Sequence, residues 1–268
     1  MYSVRVIGPG RAGGSLASAL AGAGWLIVDH RRRGDDLASA ASGVDVVVIA
    51  TPDDVVAEVA AAVRPSATTV VVHLSGSLGL DVLAAHPRRG SLHPLVPLPT
   101  PVIGAERLRS GITLAVAGDR VTRDVAEALG GTVVEVADED RTAYHAAAVI
   151  ASNHLVALMG QVERVAATAG LPLAAFAGLL RAASDDALAL GPRQALTGPA
   201  ARGDWETVER HRAVIGSMPA PRTELAGYDA MVAMARRLSL DTAEDVDAAG
   251  LVPVGPAPSA VSGTEQVA

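Results

Sequence analysis

Three glycines near the start of the chain have the spacing of a turn that binds phosphate. The run GPGRAG occupies residues 8–13 and follows the apolar run VRVI at 4–7. In this GxGxxG pattern the first glycine permits a tight turn, the second lets a pyrophosphate approach the backbone, and the third lets a helix pack on the strand. The N–H groups and the positive dipole at the start of that helix then face the phosphates. The predicted dinucleotide contacts are Gly8, Gly10, Arg11, Ala12 and Gly13.

The residues about 20 positions further on indicate which dinucleotide is bound. Asp29 alone would favour NAD, because an acidic residue at this place accepts hydrogen bonds from the ribose hydroxyls. Three arginines follow at 31–33, and guanidinium groups bind a 2′-phosphate through two parallel hydrogen bonds. We therefore predict NADP(H) as the cofactor, with Arg31 as the direct contact. A solvated run of charges is the alternative interpretation.

Further polar residues follow other predicted strands of the same half. Thr51 and Pro52 follow the apolar run VVVIA at 46–50, and Ser75 follows the run that ends at His73. Ligands of open α/β sheets bind at the carboxyl ends of the strands. We therefore expect Thr51 and Pro52 near the nicotinamide, and Ser75 within hydrogen-bond distance of the substrate or the nicotinamide. A simple helix start at Pro52 is the alternative.

The first half of the chain must form the sheet that positions these residues. Short β-branched runs at 4–7, 26–28, 46–50, 69–73 and 112–116 alternate with Ala-rich helical stretches, and 132–136 adds a further strand. Strand–helix alternation at this length predicts right-handed crossovers and a parallel sheet. A shorter run ending at His93-Pro94 indicates another strand whose end faces the same cleft.

The pattern changes after about residue 138. Residues 140–170 predict one long helix, further helices are predicted at 172–190, 204–215 and 224–238, and Asp204 is the expected cap of the third. The fold class is α/β, with an N-terminal Rossmann parallel sheet followed by an all-helical domain. The predicted domains are 1–137 for the dinucleotide and 138–240 for substrate binding and dimerisation, and 241–268 is predicted to be a disordered tail.

Composition excludes several classes of chemistry. The chain has no cysteine, and all 22 basic residues are arginine, so thiolate nucleophiles, Schiff bases and a P-loop lysine are impossible. A net charge of −7 argues against nucleic acid as a partner. We predict a cytoplasmic protein without a membrane segment or a signal peptide. The seven histidines show no compact ligand spacing, so no metal site is expected.

Several motifs together resemble a known family. They are IATPDD at 49–54, HLSGSLG at 73–79, SLHPL at 91–95, YHAAAVIASN at 144–153 and LTGPAARGD at 196–204. This set resembles the Rossmann-like proteins with domain of unknown function 2520. The wider group is similar to pyrroline-5-carboxylate reductases, β-hydroxyacid dehydrogenases and ketopantoate reductases. The resemblance implies a helical second domain that closes the site and forms a homodimer.

The resemblance also indicates where catalytic residues are expected. Many relatives use a lysine on the first long helix of the second domain, which this chain lacks. His145 lies near that place, and histidine is a common general acid in enzymes. Asn153 follows eight residues later, on the same face of a regular helix, where it could hold the substrate. The alternative is that Tyr144 and His145 only pack at a domain junction.

The loop at 197–204 is the last candidate. Its glycines and proline restrict its path, and Arg202 offers a guanidinium group for a substrate carboxylate. Thr197 is the second candidate in the loop, and an ordinary turn between helices is the alternative.

These observations predict an NADPH-dependent oxidoreductase of a small 2-oxo acid. The resemblance makes 2-dehydropantoate (ketopantoate) the first substrate to consider, which would give a 2-dehydropantoate 2-reductase of pantothenate synthesis. The predicted catalytic residues are His145, Asn153, Ser75 and Arg202. An imine reductase is the alternative within enzymes, and a dinucleotide-binding sensor without turnover is the alternative outside them.

Overall fold

A computed structural model describes residues 1–219 and 224–240. Their contacts divide the chain into two compact units, Met1–Leu155 and Val156–Ala268. The sequence-based boundary after residue 137 follows the change from strands to helices, whereas the first unit continues to Leu155. The predicted tail at 241–268 lies outside the described residues.

The first unit is built on a sheet of seven strands in the order β2-β1-β3-β4-β5-β6-β7. The strands are β1 Ser3–Ile7, β2 Leu26–Arg31, β3 Val46–Ile49, β4 Val70–His73, β5 Arg89–Pro94, β6 Thr113–Gly118 and β7 Thr132–Glu135. Strand β3 is a single run of four Val and Ile residues that is buried throughout, as expected of a strand covered on both faces. The α/β fold class with a Rossmann-type sheet is therefore confirmed.

The direction of the last two strands differs from the predicted parallel sheet. Strands β1 to β5 are parallel to their neighbours, but β6 pairs with β5 in the antiparallel direction, and β7 is parallel to β6. The helix between β5 and β6, Pro101–Leu108, contacts the first helix of the unit. Since antiparallel neighbours begin where the previous strand ends, the chain enters β6 without crossing the sheet.

The helices of the first unit cover both faces of the sheet. They are α1 Arg11–Gly22, α2 Val56–Ala62, α3 Pro101–Leu108, α4 Val121–Ala128 and α5 Arg141–Val149. Successive strand residues enter different buried clusters, with Val46 and Val48 in one and Val47 and Ile49 in the other. This alternation is the period of two of a β-strand, so each face of the sheet has its own core.

The second unit is helical in its described part. It contains α6 Leu155–Ala167, which begins at the last residue of the first unit, followed by α7 Ala177–Leu190, α8 Pro192–Ala195, α9 Pro199–Arg202, α10 Trp205–Gly216 and α11 Leu225–Ser239. Asp204 caps α10 as predicted, because its carboxylate accepts a hydrogen bond of 3.1 Å from the Thr207 amide. The side chains of Arg164 and Arg212 pair with Glu224 and Asp229.

The helix predicted at 140–170 is interrupted. Residues Ile150–His154 form a π-helical turn between α5 and α6. A π-turn holds more residues per turn than an α-helix, and such turns are frequent at functional sites. The argument that His145 and Asn153 share a helix face rests on 3.6 residues per turn, so it does not apply across this segment.

Candidate functional site

The glycine turn follows β1 and is built so that only glycine fits two of its positions. Gly8 has φ +89°, and a Cβ atom there would lie 2.8 Å from the Ala50 carbonyl oxygen. A Cβ at Gly13 would lie 2.3 Å from the Gly8 carbonyl oxygen and 2.8 Å from the Ala50 Cβ. These contacts bring α1 against the ends of β1 and β3, which is the role of the first and third glycines in a dinucleotide turn.

Gly10 has a different environment from its neighbours. A Cβ added to Gly10 would meet no heavy atom of the described residues within 4 Å. Gly10 is also the N-cap of α1 and has no side chain that could satisfy the amides of the first turn. The turn therefore combines an open approach to the backbone with free helix amides, and its residues fit a dinucleotide pyrophosphate.

Thr51 lies beside this turn and has an unsatisfied polar atom. Its Cγ2 atom lies 3.2 Å from the position of a Cβ on Gly8. Its Oγ1 atom is buried and has no hydrogen-bond partner among the described residues. Pro52 is exposed and precedes a short 3₁₀ turn, Asp53–Val55. A buried hydroxyl without a partner is uncommon, and it fits a polar ligand at this place.

The end of β2 places Arg31 next to β1. The Gly8 amide donates a hydrogen bond of 2.9 Å to the Arg31 carbonyl oxygen. The Arg31 Nη2 lies 3.3 Å from the Asp29 carboxylate, and the buried Nε has no partner among the described residues. Burial acts to raise the pKa of Asp29, but the hydrogen bond and charge of Arg5 outweigh it, so this pKa lies below its ordinary value.

Ser75 is fully engaged within the protein. Its hydroxyl donates a hydrogen bond of 2.7 Å to Asp53, and its oxygen accepts from the Ser77 and Leu78 amides at 3.1 Å. Ser77 donates a second hydroxyl bond, of 2.8 Å, to the same carboxylate oxygen of Asp53. The Ser75 side chain therefore joins the loops after β3 and β4, and its proton is not available to a ligand in this arrangement.

Three aromatic side chains meet at the carboxyl ends of β4 and β5. The His93 Nδ1 and the Tyr144 hydroxyl lie 2.5 Å apart, within hydrogen-bond distance. The His93 and His145 rings pack edge to face with centroids 6.2 Å apart. A Cβ on Gly76 would lie 2.8 Å from the His93 Cε1 and 3.0 Å from the His145 Cδ2. We call His93, Tyr144 and His145 the imidazole–phenol cluster.

Two members of this cluster are held in their neutral forms. Burial and the neighbouring His145 lower the pKa of His93 to about 4. Burial raises the pKa of Tyr144 to about 12. At neutral pH, His93 is therefore an uncharged imidazole and Tyr144 an uncharged phenol.

The buried side chain of Arg141 connects the start of α5 to strand β5. Arg141 is 2% exposed, and its guanidinium contacts the Ser91 hydroxyl of β5 and the Asp138 carboxylate, the latter at 3.0 Å. Asp138 also accepts a hydrogen bond of 2.9 Å from the Leu80 amide. Because Arg141 precedes His145 by one helical turn, these contacts orient α5 against the sheet.

His73 is the last residue of β4, and its side chain is fully buried beneath the loop that follows this strand. Its Nε2 is 3.2 Å from the Gly79 carbonyl oxygen, and its Nδ1 has no partner among the described residues. Burial, followed by the charge of Arg141, lowers its pKa to about 4. His73 is thus a neutral core histidine that supports the loop after β4.

The other two predicted catalytic residues are exposed. Asn153 is exposed in the π-turn, where its Oδ1 accepts a hydrogen bond of 3.2 Å from Ser152. Arg202 ends α9 in the second unit and is exposed, with its Nη1 3.4 Å from the Thr197 carbonyl oxygen. Asn153 makes no hydrogen bond to the imidazole–phenol cluster among the described residues, and Arg202 belongs to the second unit.

Sequence reasoning did not select several residues that the structure places at this sheet edge. Asp53 belongs to the motif at 49–54 but has no predicted role of its own, and His93 is predicted only to end a strand that faces the cleft. Tyr144 was considered only as a packing residue, and Arg141 was not considered. The motif positions 91–95 and 144–153 contained the signal for His93 and Tyr144. The burial of Arg141 had no comparable sequence signal.

Residues 1–219 and 224–240 contain neither a cluster of metal-binding side chains nor a membrane-spanning helix. Within these ranges, no three side chains of His, Cys, Asp or Glu converge as metal ligands. No helix there has the length and apolar character needed to cross a membrane.

The family comparison agrees with the motifs. Residues 111–235 match the sequence model of the family described as Domain of unknown function (DUF2520). The predicted resemblance to that family is therefore confirmed, with two of the quoted motifs, at 144–153 and 196–204, inside the matched segment. No curated protein matches the chain.

Solved structures share the fold across nearly their whole length. A candidate NADP oxidoreductase from Bacteroides fragilis superimposes with a TM-score of 0.73 at 19% identity, covering 88% of this chain and 98% of its own. A protein from Thermotoga maritima gives 0.68 at 25% identity, with coverage of 88% and 98%. Pyrroline carboxylate reductase from Plasmodium falciparum, with NADP bound, gives 0.57 at 12% identity, with coverage of 89% and 98%. The chain thus has the fold of these proteins.

Proposed function

We propose that the protein is an NADP(H)-dependent reductase of a small carbonyl or imine substrate. One observation carries the proposal: the glycine turn after β1 and the imidazole–phenol cluster beyond β4 and β5 lie at the same edge of one parallel set of strands. Ligands of such sheets bind at this edge. The fold shared with an NADP-bound pyrroline carboxylate reductase supports the same cofactor.

The assigned roles follow from the positions of the side chains. When bound, the reduced nicotinamide supplies a hydride to the carbon of the substrate's double bond. Gly8, Gly10 and Gly13 hold the pyrophosphate with the first-turn amides of Arg11 and Ala12, Thr51 and Pro52 lie on the nicotinamide side, and Arg31 contacts the 2′-phosphate. His145 delivers a proton to the substrate oxygen or nitrogen, which balances the hydride.

For the substrate we propose a small 2-oxo acid, with ketopantoate as the first candidate. Arg202 would bind its carboxylate and Asn153 would orient it, roles supported by the resemblance and by the hydrogen-bonding groups that both exposed side chains present. The hydrogen bonds of Ser75 assign it to holding the loop after β4. A cyclic imine is the second candidate, favoured by the likeness to pyrroline carboxylate reductase.

We also propose that the protein forms a homodimer through the helical unit and acts in the cytoplasm. Several large apolar side chains of that unit are exposed, including Leu188 at 87% and Leu179 at 68%. Apolar surface of this kind is typical of an interface. Light scattering after size-exclusion chromatography tests the dimer, and a mass of one chain would contradict it.

The first experiment measures cofactor binding and turnover with the full chain. NADPH and NADH are titrated by nicotinamide fluorescence, and NADPH oxidation is then followed with ketopantoate, other 2-oxo acids and cyclic imines. We expect tighter binding of NADPH and oxidation with one substrate class. Binding without turnover across the panel would instead support a dinucleotide-binding sensor, and binding of neither nucleotide would refute the proposal.

Substitution of His145 tests the proton donor. His145→Ala should retain NADPH binding and lower kcat at least about 100-fold, the lower end of the usual contribution of a positioned acid. The control is His154→Ala, since His154 is an exposed histidine in the π-turn that follows the same helix. If His145→Ala and His154→Ala have the same kcat, another group donates the proton.

A further inference from the structure

We propose that His93 and Tyr144 act as one neutral hydrogen-bond donor that polarises the reacting C=O or C=N group while His145 supplies the proton. This inference rests on the proposed reductase function and adds two catalytic residues to it. It starts from the contact of 2.5 Å between the His93 Nδ1 and the Tyr144 hydroxyl, which joins residues 51 positions apart in the sequence.

The His93–Tyr144 pair lies at the carboxyl ends of the parallel strands, where ligands of such sheets bind. His93 is the last but one residue of β5, and Tyr144 is in the first turn of α5. The His93 and His145 rings both lie within 3.0 Å of the position that a Cβ on Gly76 would occupy, and they pack edge to face. Because Gly76 has no side chain, both imidazoles reach the loop after β4, and the pair and His145 converge on one small region.

The His93–Tyr144 pair has one hydrogen-bond donor left over for a ligand. A neutral imidazole has one N–H, and a phenol has one O–H. One of these two protons is used in the bond between the residues, so the other points outward, either from the His93 Nε2 or from the Tyr144 hydroxyl. The pair thus behaves as one donor whichever tautomer is present.

Electrostatics keeps that donor neutral. Burial and His145 disfavour the charged form of His93, Asp53 acts in the opposite direction, and Arg141 again disfavours the charge. The result is a pKa of about 4 for His93, beside a tyrosine whose pKa is about 12. A neutral donor can stabilise charge that develops on the substrate without competing with His145 as the acid.

The kinetic test removes only the hydroxyl. Tyr144→Phe removes either the outward O–H itself or the hydroxyl whose hydrogen bond to Nδ1 keeps the His93 proton on Nε2. It should therefore lower kcat about 100-fold, the scale for loss of one donor to a developing negative charge, and leave the Kd for NADPH unchanged. Tyr2→Phe is the matched control, because its hydroxyl donates a hydrogen bond to Asp124 near the opposite end of the sheet. Equal kcat values for Tyr144→Phe and the unaltered protein would overturn the inference while leaving the reductase function intact.

A second measurement does not depend on activity. Nitrogen-15 NMR of the imidazole rings, assigned with His93→Asn, should show His93 with one protonated nitrogen at all pH values between about 5.5 and 8. A His93 signal that titrates near pH 6.5 would overturn the inference. If the protein binds NADPH and reduces nothing in the substrate panel, the proposed function fails first, and the inference fails with it.

Discussion

The Arg5 guanidinium and the Asp29 carboxylate form an ion pair between the first two strands, with Nε 2.6 Å from Oδ1. The Arg5 Nη1 also donates to the carbonyl oxygens of Ala40 at 2.5 Å and Ser42 at 3.0 Å. Arg31 approaches the second oxygen of Asp29 at 3.3 Å. Because two arginines share this carboxylate, Asp29 is poorly placed to accept both ribose hydroxyls of NAD, which favours a cofactor with a 2′-phosphate.

This arrangement predicts that Arg31→Ala selectively weakens NADPH binding. We expect the Kd for NADPH to rise about tenfold, equivalent to about 1.4 kcal/mol, because a charge-assisted hydrogen bond to the 2′-phosphate is lost. The Kd for NADH should stay unchanged or fall. Arg64→Ala is the control, since Arg64 is exposed and lies before the start of β4, whereas Arg31 lies at the carboxyl end of β2. Equal weakening of both nucleotides would contradict a 2′-phosphate contact.

The glycine turn predicts a contrast between two alanine substitutions. Gly10→Ala places its methyl group in open space, so we expect a nearly unchanged melting temperature and a Kd for NADPH at least about tenfold higher. Gly13→Ala collides with the Gly8 carbonyl oxygen and the Ala50 side chain, so it should also destabilise the fold by about 1–3 kcal/mol. Thermal unfolding and fluorescence titration of both variants provide the measurement. Tight NADPH binding by Gly10→Ala would place the pyrophosphate elsewhere.

Gly76 predicts a defect confined to catalysis. A methyl group at this position forces the His93 and His145 rings apart, because both lie within 3.0 Å of it. We expect kcat for Gly76→Ala to fall about 100-fold, as for other small misplacements of catalytic groups, with the Kd for NADPH unchanged. Gly178→Ala on α7, where a Cβ meets no described heavy atom within 4 Å, is the control. A normal kcat for Gly76→Ala would show that the rings need not remain in place.

The buried His73 predicts a loss of stability in mild acid. The unfolded chain takes up a proton at His73 as the pH falls through 6.5, whereas the folded protein resists until about pH 4. The unfolded state therefore binds more protons in this window, and the free energy of unfolding decreases as the pH falls across it, by up to about 3 kcal/mol. His93, whose pKa is also about 4, acts in the same direction.

Urea unfolding at a series of pH values tests this prediction. His73→Asn should reduce the slope of the free energy of unfolding against pH between about 4 and 6.5, where one histidine contributes at most about 1.4 kcal/mol per pH unit. His30→Asn replaces an exposed histidine of β2 and should leave the slope unchanged. An identical slope in His73→Asn and the unaltered protein would mean that His73 is protonated in the folded state.

Local sequence signals explain which elements were predictable. The turn at 8–13 and the start of α10 at Asp204 depend on neighbouring residues, so spacing alone locates them. Strand β5 holds one large apolar residue, Leu92, between polar neighbours and is hard to recognise as a buried strand. Helix α3 was overlooked although its start carries a usable signal, with Thr100 accepting a hydrogen bond from the Ile103 amide and Pro101 in the first turn.

The candidate site depends on contacts that no local pattern contains. The partners His93 and Tyr144 are 51 residues apart, and Ser75 and Asp53 are 22 apart. Sheet topology predicts that Thr51, Ser75 and His93 face one edge of the sheet. It does not predict which of their side chains is already hydrogen-bonded within the protein. The antiparallel direction of β6 and the π-turn at 150–154 likewise arise from tertiary packing.

The hydrogen bonds that Asp53 accepts from Ser75 and Ser77 also bear on the thermodynamics of binding. They join the loops after β3 and β4 through contacts within the protein itself, at 2.7 and 2.8 Å. The conformational entropy of these loops is therefore lost during folding and need not be lost again when a ligand arrives. This edge of the sheet is preorganised, so a ligand that contacts only these loops can associate without a slow ordering step.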